Sequence, residues 1–68
     1  MAIHWGILGT GTIASLFAND LGLLPDAKLV AIGSRAQSRA DAFGDRFAVP
    51  HRHASYEGVV ANADVDVV

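Results

Sequence analysis

Cysteine is absent from the 68 residues. That excludes a disulfide framework, a thiolate metal site and a cysteine nucleophile, and it fits a reducing, cytoplasmic setting. A chain of this size buries only about 60% of the surface that its unfolded state exposes, so without staples it has little stability to spare. An excess of positive charge is lacking too: five Lys and Arg stand against seven Asp and Glu, for a net charge of −2. General attraction to nucleic acid or to anionic lipid is not expected. Long hydrophobic runs are also missing. The first apolar stretch is broken by glycines and then by Asn19 and Asp20, and Met1-Ala2-Ile3-His4-Trp5 has no positive n-region. Neither a signal peptide nor a membrane span is expected.

What is present points to packed α/β structure: 51% hydrophobic residues, much of that share alanine and valine, with 18% charged. Ile3 to Leu8 reads as a buried strand, apolar and ended by a glycine-rich run. From Thr12 the period changes, and Ile13, Leu16, Phe17, Leu21 and Leu24 fall on one face of a helix that Gly22 and Pro25-Asp26 bring to a stop. Lys28 to Gly33 predicts a second strand. Ser34 and Gln37 have capping-box spacing, so a second helix should start there. Ala40, Phe43 and Phe47 form its apolar face, Arg39, Asp41, Asp45 and Arg46 lie outside, and Val49-Pro50 stops it. After a short link, a third helix runs from a Ser55 cap to about Ala61. Asn62-Ala-Asp64 is then a turn, and Val65 to Val68 opens another strand.

Strands alternating with helices in this order pair in parallel through right-handed crossovers. A full doubly wound domain takes about 100 to 150 residues. The expectation is therefore the N-terminal β-α-β-α-(α)-β part of such an α/β domain, with residues 1–68 a partial unit.

Gly9-Thr10-Gly11-Thr12-Ile13-Ala14 fits G-x-G-x-x-G/A and sits between a strand and a helix, as the Rossmann dinucleotide fingerprint requires. Gly9 permits the sharp turn, Gly11 leaves room between backbone and pyrophosphate, and Ala14 lets the helix lie close to the strand. The free amides from Thr12 and Ile13 onward, aided by the helix dipole, would receive phosphate. No Gly-Lys-Ser/Thr follows, which excludes a mononucleotide P-loop.

At the end of the second strand an acid would select NAD by accepting hydrogen bonds from the ribose 2′-hydroxyl. Ser34 and Arg35 stand there instead, with no carboxylate between Asp26 and Asp41. Arg35 is suited to pair with a 2′-phosphate and to lie against adenine, and Arg39, one turn on, adds a second cation. NADP is therefore the expected cofactor, with NAD the alternative. The expected cofactor-binding set is Gly9, Thr10, Gly11, Thr12, Ile13, Ser34, Arg35 and Arg39. His51 and His53 would share a face if extended, but no third ligand is placed with them, so no metal site is expected. His4, Trp5, Tyr56 and Glu57 read as structural.

Trp5-Gly-Ile-Leu-Gly-Thr-Gly-Thr-Ile-Ala14, Leu29-Val-Ala-Ile-Gly-Ser-Arg35, Ala40-x-x-Phe43, Ser55-Tyr-Glu57 and Asp64-Val-Asp-Val-Val68 together resemble the N-terminal region of the Gfo/Idh/MocA oxidoreductases. The resemblance covers essentially the whole chain, and Ser34-Arg35 with Arg39 is similar to the NADP-preferring branch. It implies hydride transfer between nicotinamide and a hydroxyl or carbonyl carbon of a sugar, polyol or related small molecule, in a homo-oligomer whose second domain holds the interface. The family's catalytic lysine, in a Glu-Lys-Pro motif, follows the strand that begins near Val65, so no catalytic residue is expected within 1–68. The alternative is a nucleotide-sensing protein that binds the cofactor without turnover.

Overall fold

A computed structural model describes residues 2–68. Six elements follow one another: β1 Ile3–Leu8, α1 Thr12–Gly22, β2 Ala27–Gly33, α2 Gln37–Phe47, β3 His51–His53 and α3 Tyr56–Val60. The strands form one parallel sheet in the order β1-β2-β3. On the free side of β1, Val67 makes a parallel bridge to Trp5, so the spatial order runs β3, β2, β1, Val67. This is the parallel α/β architecture expected of the N-terminal part of a Rossmann domain.

Helices cover both faces of the sheet. On one face Ile7 and Ile32 pack with Ala18 and Leu21 of α1, Ala40 and Phe43 of α2, and Val49. On the other, Val59 of α3 is fully buried against Val30 and Ala31, with Val65 beside it. Gly33 permits this approach. A Cβ there would stand 2.6 Å from Cγ2 of Val59 and 3.0 Å from the Ser55 carbonyl oxygen.

Several sequence expectations need correction. The predicted α1 stripe is mostly outside: Ile13, Leu16 and Leu24 are exposed and Leu21 alone of the five is buried. The inward face is Ala14, Ala18 and Leu21, also at helical spacing. Leaving β1 by a tight glycine turn brings α1 so near the sheet that alanine fits where longer side chains would not. Phe17 lies at the flank, its ring edge-on to Trp5 with centroids 5.6 Å apart.

The capping box does not form. Ala36 is the N-cap of α2, with no side chain capping it. The Ser34 hydroxyl accepts from the Ala36 amide at 3.3 Å, while the Gln37 amide group donates to Asp41 Oδ1 and to the Arg52 carbonyl. Ser34 directly follows β2 and lies two residues ahead of the Ala36 N-cap, so the first turn of the helix begins too late for its oxygen to cap it. At the other end α2 stops two residues before the expected Val49-Pro50, because Ala48 adopts a left-handed conformation (φ 55°) and the Val49 amide bonds to the Gly44 carbonyl.

The link expected between α2 and α3 contains a strand. His51–His53 pairs with Ala31–Gly33, too short and too polar to have been read as β. Conversely, the strand expected at Val65–Val68 reduces to the single bridge at Val67. Both the Asp66 and Val67 amides donate to the His4 carbonyl, which breaks the regular ladder. α3 starts after Ser55, whose hydroxyl accepts from the Gly58 amide, and Asp64 closes its turn on the Asn62 side chain, as the sequence indicates.

Candidate cofactor-binding site

The C-terminal ends of the three strands converge on one rim. Gly9 takes φ +101°, the positive region that glycine occupies without penalty, and its amide donates to the Gly33 carbonyl at 2.7 Å. The Ser34 amide in turn donates to the His53 carbonyl at 3.0 Å. Two backbone bonds thus join the glycine turn, the end of β2 and the end of β3.

Gly11 is the N-cap of α1. No side chain caps that terminus and its first turn contains no acid. The amides at the start of a helix have no intrahelical acceptor, so here they are free for an anion. Cβ atoms built on Gly9 and Gly11 would have nothing within 4 Å, which leaves the backbone open to close approach. The turn therefore fits a pyrophosphate group.

Beside it lies a cleft of about 400 Å³ between the first turn of α1 and the outer face of α2. Thr10, Gly11 and Ser15 form one wall; Arg39, Ala42, Phe43 and Arg46 form the other. No carboxylate is among these residues. Asp45 is drawn away by Arg52, 2.7 Å distant, and Asp41 by Gln37. The wall of a chain with net charge −2 is thus locally cationic.

The expected residues do not all gather in this cleft. Thr10, Gly11 and Arg39 line it. Thr12 and Ile13 face an apolar groove of about 480 Å³ on the other side of the turn, shared with Leu8, Phe17 and Val68. Ser34 is 6% exposed and engaged in its own turn. Arg35 is exposed, and its guanidinium stands 5.8 Å from the ring centroid of Tyr56. Sequence reading missed Ser15 and Arg46. Spacing could have found both: Ser15 follows Gly11 by one helical turn, and Arg46 follows Arg39 by seven residues, the same face of α2.

The His51 and His53 rings stack with centroids 6.5 Å apart, but each is directed to a polar neighbour, His51 to Asp64 Oδ2 at 2.9 Å and His53 to Asn62 at 3.1 Å. Among the described residues no group of three or more His, Cys, Asp or Glu is placed to hold a metal. No helix among them is long and apolar enough to cross a membrane.

Comparison with known proteins agrees with this geometry. Residues 3–68 match the model of an oxidoreductase family with an NAD-binding Rossmann fold. A trans-1,2-dihydrobenzene-1,2-diol dehydrogenase from Mus musculus is 36% identical over 69 residues, and that of Bos taurus 38%; each match covers 98% of this chain. The chain spans about a fifth of the length of these relatives, 21%. A variant of a 3-ketoreductase from Actinomadura kijaniata, solved with TDP-benzene and NADP, superposes with a TM-score of 0.91 at 30% identity, over 98% of this chain and 22% of that one. The myo-inositol dehydrogenase of Lactobacillus casei, solved with NAD(H) and myo-inositol, shares the fold at 23% identity and a TM-score of 0.85, over all of this chain and 22% of the other. Glycine turn, parallel sheet and matched sequence together make the chain a member of the Gfo/Idh/MocA oxidoreductase family, in its NAD-binding Rossmann region.

Proposed function

We propose that this chain is the adenosine- and pyrophosphate-binding part of an NADP(H)-dependent oxidoreductase that moves hydride between nicotinamide and a hydroxyl or carbonyl carbon of a sugar, polyol or related small molecule. The observation that carries the reading is the cationic cleft: Arg39 and Arg46 face the open Gly11 turn, and no carboxylate lines the space between them. An acid at the end of β2 would favour NAD; that corner holds Ser34 and Arg35.

Bound nicotinamide supplies the hydride chemistry, and the protein supplies position and electrostatics. In this reading the amides of α1 hold the pyrophosphate, Arg39 pairs with the 2′-phosphate beside Thr10, and Arg46 adds to the positive field at the outer end of the cleft. The cleft side chains are hydroxyls, arginines and apolar groups, suited to holding the dinucleotide rather than to moving protons. The known neighbours named for work on a diol, a keto group and an inositol support the substrate class.

The test is calorimetric titration of the full chain with NADP⁺ and NAD⁺. Tighter binding of NADP⁺ is expected. Failure to bind either dinucleotide, or tighter binding of NAD⁺, overturns the reading.

A further inference from the structure

Arg35 and Tyr56 belong to different crossovers, yet they meet. Arg35 follows β2, Tyr56 opens α3, and the guanidinium carbon stands 5.8 Å from the ring centroid, within the range of a cation–π contact. Two features set this up. Gly33 lets α3 dock on the end of β2 through Val59, and the Ser55 cap fixes where the helix begins and so where Tyr56 stands. The backbone beside Arg35 is held as well, because Ser34 is buried and its amide is bonded to the His53 carbonyl. The Arg35 side chain itself remains exposed. The two ion pairs among the described residues use Arg52 and His51, so no carboxylate pairing competes with the Tyr56 ring for the Arg35 guanidinium.

We propose that Tyr56 is a positioning residue for the cofactor: its ring fixes the Arg35 guanidinium, whose free side is then the platform on which the adenine base stacks. The proposal rests on the dinucleotide reading above and divides the work of the two arginines. A guanidinium is planar and weakly hydrated, and it stacks readily on aromatic rings. Holding it in advance lowers the ordering cost of binding. Adenine is common to NAD and NADP, so this contact serves both cofactors alike. Arg39, beside Gly11 in the cleft, is the group that distinguishes them.

The experiment is calorimetric titration of the full chain with NADP⁺ and NAD⁺ for wild type, Tyr56→Leu, Tyr56→Phe, Arg35→Ala and the double variant Arg35→Ala/Tyr56→Leu. Tyr56→Leu should weaken both cofactors by the same factor, about three- to tenfold. Tyr56→Phe, which keeps the ring, should bind as wild type does. The double variant should be no weaker than Arg35→Ala alone, because Tyr56 acts through Arg35. Additive losses, or a loss in Tyr56→Phe equal to that in Tyr56→Leu, overturn the proposal. If Tyr56→Leu does not fold, Arg35→Ala decides: equal losses for the two cofactors support the platform, and a loss confined to NADP⁺ overturns it. A wild-type chain that binds no dinucleotide overturns the functional reading and this proposal with it. Binding with an NADP-selective Arg39→Ala but additive Tyr56 losses overturns this proposal alone.

Discussion

The amide of Gly9 donates to the carbonyl of Gly33 across 2.7 Å, so the turn leaving β1 is fastened to the last residue of β2. At that turn Gly9 takes φ +101°, a conformation that residues with a Cβ rarely adopt. Gly9→Ala meets no steric obstacle, since a Cβ there has nothing within 4 Å, and its cost is backbone strain alone. A loss of about 1–3 kcal/mol is expected, with weaker binding of both dinucleotides. Urea unfolding read by circular dichroism checks this, and an unchanged midpoint would show that the turn relaxes freely.

Gly11 behaves differently. Its backbone is extended at φ −75° and ψ −173°, which any residue adopts, and the space in front of it is open. Gly11→Val should therefore fold normally yet bind neither NADP⁺ nor NAD⁺, because the side chain occupies the approach to the α1 amides. Retained affinity for either cofactor in a chain with a wild-type melt would reduce the motif to a plain turn.

Arg39→Ala should weaken NADP⁺ by about ten- to a hundredfold and leave NAD⁺ nearly unchanged, the scale of a lost hydrogen-bonded charge. Arg46 lies two turns further along α2, about 10 Å in axial rise. Arg46→Ala should cost less, and most of its effect should vanish in 1 M salt, where exposed charges are screened within about 3 Å. Paired titrations at low and high ionic strength separate the two roles; equal losses of both cofactors in Arg39→Ala would sink the assignment.

Gly33→Ala forces a methyl group to within 2.6 Å of Val59 and 3.0 Å of the Ser55 carbonyl. The latter is backbone and cannot swing aside, so α3 must shift. Overpacking of this kind costs about 1–3 kcal/mol. The variant should melt earlier than wild type, and Gly33→Ala combined with Val59→Ala should recover part of the loss. No recovery would mean that the Ser55 contact alone carries the strain.

Much of the fold is legible from the chain because local and global signals agree there. Ile3–Leu8 and Ala27–Gly33 are apolar runs ended by glycine, and α1 begins at Thr12 where the glycine motif places it. The failures have physical causes. α1 turns Ala18 and Leu21 inward with Ala14 partly buried beside them and leaves Ile13, Leu16 and Phe17 outside, since closeness to the sheet outweighs side-chain size. β3 has the sequence His-Arg-His, and its pairing with Ala31–Gly33 comes from tertiary context rather than propensity. In the site, Thr10, Gly11 and Arg39 could be named from motif and spacing alone. Arg46 lies seven residues beyond Arg39 on the same helix face, so spacing could have named it, but that Arg35 lies on Tyr56 depends on how α3 docks, which a linear pattern does not carry.

The bridge from Trp5 to Val67 gives β1 a hydrogen-bonded neighbour on each side. Sheets fray from their margins inward, and the amides that exchange slowest with solvent are those whose release requires the largest cooperative opening. The Gly6 amide, bonded to the Val67 carbonyl at 2.8 Å, is therefore expected to exchange more slowly than an unpaired edge amide. The glycine turn springs directly from that strand. A loop free to meet a ligand is thus anchored to a strand held on both sides, so its shape should persist through fluctuations that loosen β3 at the sheet's edge.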